Sequence, residues 1–237
     1  ARRHTGIAEL KNIIIPFLYA LLPIGLILLQ PDMGSALIIG GILVVYLFVS
    51  GLRMRHIMAG ICIALLVGFL GWNHLEGYQR ERIKGLFNPG YDPLGVNYNV
   101  IQSKIAIGSG GLFGKGFKQG TQTQLGFLPE PANDFIISSI AEEWGATGIF
   151  ALLAAFAILI GRILYIGLTL EGNFGKLICL GTAGLILLHM AFNIGSAVGF
   201  MPVVGVPLPL VSYGGSSIIT FFMALGIVQS VAIHSAF

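Results

Sequence analysis

Charge is what this sequence most lacks. Lys, Arg, Asp and Glu together make up 10% of its 237 residues, against about 25% in an ordinary globular protein. So few charges cannot coat a water-facing surface, which excludes a soluble fold. Cysteine is scarce too: Cys62 and Cys179 both lie in apolar runs, which excludes a disulfide framework. A formal net charge of +3 is too small for a surface that tracks phosphates, so nucleic acid is not a partner. Two pattern absences narrow the chemistry. No Lys-Ser/Thr follows a glycine cluster, which excludes a Walker loop. There is no His/Cys cluster, no His-Glu-x-x-His and no acidic calcium loop, so no metal site is legible. What is present is 55% hydrophobic residues and 34 glycines, the latter about twice the usual share. Glycine at that level suits close helix packing in lipid. The class is an all-α polytopic membrane protein.

The spacing of the few charges marks out the spans. Lys11 to Asp32, Asp32 to Arg53 and Arg55 to Glu76 each enclose 20 uncharged residues, and Glu143 to Arg162 encloses 18. Roughly 20 residues cross a hydrocarbon core. After Lys176 the last 61 residues contain no Lys, Arg, Asp or Glu. Pro202, Pro207, Pro209 and the Gly214-Gly215 pair divide that stretch into a span near 177–200, a loop near 201–215 and a span near 216–236. Six transmembrane helices are expected. Three lie in 1–72 behind a cytoplasmic N-terminal segment, and three in 136–237 with an outer Pro/Gly loop at 201–215; residues 73–135 form the large loop between the two sets. Arg2, Arg3, Lys11, Arg53, Arg55, Arg162 and Lys176 all fall on one side. The positive-inside rule makes that side cytoplasmic and turns the 73–135 loop outward. The chain opens Ala1-Arg2-Arg3 with no initiator Met, and so reads as beginning in a cytoplasmic loop of something larger.

Residues 73–135 hold 11 of the 23 charges, and connections this long are uncommon unless functional. Val100, Ile101 and Ile105 fit a short interfacial helix over 97–107. Gly108, Gly110, Gly111, Gly114, Gly116 and Gly120 follow, interleaved with Lys115 and Lys118. Two readings stand side by side: a cradle of N–H groups for an anion, or a flexible solvated loop. Asp134 precedes an apolar helical run, so it is either an N-cap or a carboxylate held near the outer membrane surface as a general base. Glu142 and Glu143 lie two turns further on, at the same depth. His189, Asn193 and Ser196 share one face of the fifth span, which should point into the bundle for interhelical hydrogen bonds.

Several longer motifs are specific. They are Gln30-Pro31-Asp32-Met33-Gly34, Asp92-Pro93-Leu94-Gly95, Gln102-Ser103-Lys104 through Gly111, Gly120-Thr121-Gln122 and Phe127-Leu128-Pro129-Glu130. Asp134-Phe135-Ile136, Ala141-Glu142-Glu143, Pro202 through Pro209 and Ser212-Tyr213-Gly214-Gly215-Ser216 complete the set. In this order the chain resembles the SEDS family (RodA, FtsW, SpoVE) of polytopic peptidoglycan glycosyltransferases, most nearly its RodA branch. The resemblance covers essentially the whole chain and implies the last six of about ten spans. One departure is Ala132-Asn133, where relatives often carry His-Thr before the Asp.

The resemblance implies polymerisation of lipid II into β-1,4-linked glycan in the bacterial cytoplasmic membrane, for cell elongation and shape. Asp134 would be the catalytic base. Arg80, Gln102, Lys104, Lys115, Lys118, Glu130, Glu142, Tyr213 and Ser216 would contact substrate, with Arg80 and Lys104 first among the cations, which also include Arg82. A divalent cation, Mg2+ or Mn2+, could share the charge, though no ligand set shows it. The implied partners are lipid II, the nascent glycan strand, membrane lipid and a class B penicillin-binding protein. Two rivals are a lipid II flippase, which should place its charges along the midplane, and a scaffold that only anchors a transpeptidase.

Overall fold

The computed structural model describes residues 10–30, 32–49, 55, 56, 58–60, 62, 66, 77–88 and 90–234, with the side chains of 10–16 and 78 outside that description. Eight helices occur among the described residues: α1 (Leu10–Leu28), α2 (Met33–Val49), α3 (Gly77–Phe87), α4 (Tyr98–Gly110), α5 (Thr121–Gln124), α6 (Ile136–Thr169), α7 (Asn173–Ala197) and α8 (Gly215–His234). No strand is among them. The chain is an all-helical polytopic membrane protein. Helices α6, α7 and α8 are long and apolar enough to cross a membrane, while 17–28 of α1 and the whole of α2 are shorter apolar helices. The span expected between Arg55 and Glu76 lies largely outside the described residues.

The chain divides into two compact units, residues 1–75 with 161–188 and 223–237, and residues 76–160 with 189–222. In the first, α1 packs on α2. Small residues let α2 and residues 173–188 of α7 approach: a Cβ on Gly41 would come within 2.9 Å of the Leu188 side chain, and one on Gly184 within 2.8 Å of Val45. Close backbone approach through glycine is how helices gain packing in lipid, where burial itself drives little.

The second unit contains the polar loop. The expected interfacial helix is present as α4, and buried hydroxyls tie it down. Ser103 Oγ donates to the Ala197 carbonyl of α7 at 2.6 Å. Its one proton is then used, so the 2.6 Å contact with Ser138 Oγ of α6 has Ser138 as donor. The glycine cluster answers neither reading of it. Helix α6 is broken at Gly145, whose φ of 67° and ψ of −162° suit glycine alone. The glycine loop inserts its backbone into that break. Lys115 N–H and Gly116 N–H donate to the carbonyls of Glu142 and Glu143, while Ala146 and Thr147 N–H donate to the carbonyls of Gly111 and Leu112, all at 2.9–3.1 Å. A Cβ on Gly110 or Gly114 would collide with the α6 backbone. These glycines are there for close approach to a helix, and they satisfy the groups that the break leaves unpaired.

Candidate functional site

Asp134 occupies the turn that leads into α6, and its backbone is clamped from two sides. Asn193 Nδ2 donates to the Asp134 carbonyl at 3.2 Å and to the Val206 carbonyl at 2.9 Å. Ser212 Oγ donates to the Asn133 carbonyl at 2.7 Å and accepts from Leu208 N–H at 2.9 Å. Tyr213 N–H reaches the Ala132 carbonyl. The Pro/Gly loop after α7 is therefore a fixed brace for 132–134, with its prolines limiting the conformations it can leave to. The face His189, Asn193 and Ser196 forms hydrogen bonds, though not between helices: His189 Nδ1 meets the Pro207 carbonyl of the loop at 3.1 Å, and Ser196 Oγ donates to the Asn193 carbonyl of its own helix.

The Asp134 side chain itself is half-buried and does not cap α6. The N–H groups of Ser138 and Ser139 turn back to the Phe135 carbonyl, and no first-turn N–H reaches the carboxylate among the described residues. Burial pushes the Asp134 carboxyl above the usual carboxylate range, and the negative charge of Glu130 pushes it further; the Arg82 guanidinium pulls partway back. Glu130 sits at a φ of 47°, which is rare for a residue with a side chain. Its Oε2 accepts from Asn133 Nδ2 at 2.7 Å, and its carbonyl accepts from the N–H groups of Asn133 and Phe135. The turn thus holds two carboxylates near enough for Glu130 to act on Asp134, which also feels the Arg82 charge.

Arg82 links this turn to a cavity. Its Nη1 donates to the Val203 carbonyl at 2.6 Å. Together with Lys104, Asp92, Asn99, Met201 and Val203, it lines a cavity of about 440 Å³ that does not include Asp134. Lys104 lies across Gly199, where a Cβ would approach its Nζ within 2.6 Å. Arg80, expected with Lys104 to be first among the cations, is half-buried on α3; the Arg82 guanidinium on the same helix pulls on the Asp134 carboxyl. The Arg82 contact reaches a carbonyl 121 residues away, which spacing along α3 does not show.

The other expected contacts are dispersed. Glu142 is fully buried, and its oxygens accept from Lys115 Nζ at 2.8 Å, Thr121 Oγ1, the N–H groups of Gln122 and Thr123, and Thr123 Oγ1. Two predicted substrate residues, Glu142 and Lys115, are thus paired with one another. A buried carboxylate needs this many donors, since desolvating an ion costs several kcal/mol. Lys118 lies over the Phe117 ring. Gln102 is half-buried on α4, and Tyr213 and Ser216 are exposed near the start of α8. No group of three His, Cys, Asp or Glu side chains able to hold a metal occurs among the described residues. Asp134 and Glu130 alone are too few for a protein-built site.

The FtsW/RodA/SpoVE family, described as cell cycle proteins, matches residues 2–236. The chain is 44% identical over 227 residues to the peptidoglycan glycosyltransferase MrdB of Escherichia coli K12, covering 95% of this chain and 61% of that protein. It is 37% identical to the stage V sporulation protein E of Bacillus subtilis, over 90% of this chain and 57% of that one. Among solved structures, a chain of a peptidoglycan synthase complex described as coordinating polymerization and crosslinking superposes with a TM-score of 0.79 at 38% identity, covering 97% of this chain and 64% of that one. The rod shape determining protein RodA of Thermus thermophilus gives a TM-score of 0.65 at 32% identity, covering 99% and 61%. The chain thus spans about three-fifths of the length of these relatives. A match this continuous, with the same helical architecture, means that the chain belongs to the FtsW/RodA/SpoVE family.

Proposed function

We propose that this chain carries the catalytic carboxylate of a peptidoglycan glycosyltransferase that polymerises lipid II. Asp134 takes the proton from the 4-hydroxyl of the acceptor's N-acetylglucosamine. That oxygen forms a bond to the anomeric carbon of the donor's N-acetylmuramic acid. The bond from that carbon to the pyrophosphate oxygen breaks, and undecaprenyl pyrophosphate leaves with the electron pair. Attack opposite the leaving group inverts the anomeric centre and yields a β-1,4 link. Asp134 then releases its proton to solvent.

The observation that carries this reading is the state of Asp134: a half-buried carboxyl on a braced backbone, its proton affinity raised by burial and Glu130. A general base works best when its pKa lies close to the working pH, and an ordinary exposed aspartate is too weak. Arg82 and Lys104, both lining one cavity, suit the charge that develops on the departing pyrophosphate. Arg80, Gln102, Glu130, Tyr213 and Ser216 are retained as further substrate contacts on the family pattern. Glu142 and Lys115 are assigned instead to holding the loop. Placement of the 73–135 loop outside the cytoplasmic membrane, six spans in the domain arrangement 1–72, 73–135 and 136–237, cytoplasmic chain ends, a role in elongation and a transpeptidase partner of class B type belong to the same proposal.

The test is lipid II polymerisation by purified full-length Asp134→Asn protein. The amide keeps shape and removes the base, so glycan synthesis should fall by about 10²- to 10⁴-fold, the usual worth of general-base catalysis. Synthesis at the wild-type rate would remove the base from Asp134.

A further inference from the structure

The loop that fills the break in α6 has a second side. Its backbone is used up on α6, but Leu112, Phe113, Phe117 and Leu125 are exposed, Phe113 by 80% and Phe117 by 67%. Trp144, the last residue before the break, is 56% exposed and meets Phe117 edge to face with ring centroids 6.5 Å apart. Lys118 Nζ lies 5.6 Å from the Phe117 centroid. Exposed apolar rings clustered in this way mark a surface that meets lipid or another molecule.

Position and charge together select the occupant. Past Gly145, α6 enters its apolar stretch, where Phe150 and Ile158 are both exposed and must face lipid or another helix. Trp144 stands where that stretch begins, directly after Glu142 and Glu143. Tryptophan favours this boundary, with its ring among acyl-chain ends and its N–H at headgroup level. A lysine beside aromatic rings matches the pattern by which interfacial segments bind anionic lipid. We infer that residues 112–118 and Trp144 form a seat in the headgroup layer of the membrane that α6 crosses. The rings enter the acyl boundary and Lys118 faces lipid phosphates. The inference stands without the catalytic reading; only the identity of the leaflet depends on the topology proposed above.

The test uses the full-length protein with its native cysteines replaced, reconstituted in phosphatidylethanolamine–phosphatidylglycerol vesicles. Bimane is attached at Phe117→Cys, at Phe113→Cys as a second reporter should the first disturb the Trp144 contact, and at Glu81→Cys on polar α3. Nitroxide carried on lipid near the headgroup should quench position 117 or 113 more than aqueous iodide does, with the reverse order at 81. Equal iodide quenching at all three positions would overturn the seat. Shielding from both quenchers, gained only when a purified transpeptidase partner is added, would overturn it in favour of a protein-docking surface.

Discussion

Two carboxylates eight residues apart, on one turn and the helix it opens, have opposite surroundings. Glu142 is fully buried and meets five donors. Asp134 is half-buried, with its backbone clamped and its oxygens left to a distant cation and an adjacent like charge. The first carboxylate is spent on structure: removing its charge undoes a loop. The second is held at a cost and is free to take a proton. The contrast teaches that burial alone does not mark a catalytic carboxylate; on the proposed reading, what sets Asp134 apart is burial without enough partners.

Asp134→Asn should abolish most polymerisation, as described above, whereas Glu142→Gln should lower activity only as far as it lowers the folded fraction. Comparing turnover per folded molecule in detergent separates the two. Glu142→Ala removes the acceptor from a half-buried lysine and two half-buried N–H groups, and should cost about 1–3 kcal/mol of stability, read as a fall in melting temperature. Gly145→Ala forces a side chain into the left-handed region and against the inserted loop, a cost of about 1–3 kcal/mol by the same measurement. The smallest effects are on pH. The base must be ionised to act, so activity falls as pH drops through the raised Asp134 pKa. Glu130→Gln removes a neighbouring negative charge and should move that acid limb to lower pH; Arg82→Gln should move it to higher pH. An unmoved limb in both variants would detach Asp134 from these neighbours.

Much of the architecture was legible because it is one-dimensional. Uncharged gaps fall where α6 beyond Gly145, α7 and α8 run, and the Asn97–Ile107 pattern falls on α4. The turn at Asp134 that opens α6 was legible as well, from its place before an apolar run. The break at Gly145 was not, since a glycine inside an apolar helix is ordinary in membranes and only its contact with Gly111–Gly116 shows that the helix stops there. Nor was the Glu142 cage: Thr121 and Thr123 lie about twenty residues before it, and side-chain donors at that separation carry no periodicity. The Arg82 contact was not legible for the same reason, its partner being the Val203 carbonyl on a remote loop.

The central claim is that Asp134 is kept ionisable against the preference of its surroundings. A carboxyl whose pKa is raised on folding stabilises the fold fully only below its unfolded pKa, and that contribution is lost as pH rises through the folded value. At neutral pH the ionised group therefore weighs against stability, and a neutral amide there should relieve it. The decisive measurement is melting temperature and lipid II turnover on the same preparation of Asp134→Asn at neutral pH. The account predicts a melting temperature at or above wild type together with lost turnover. A lowered melting temperature with turnover falling in proportion would contradict it, because Asp134 would then be another structural carboxylate like Glu142.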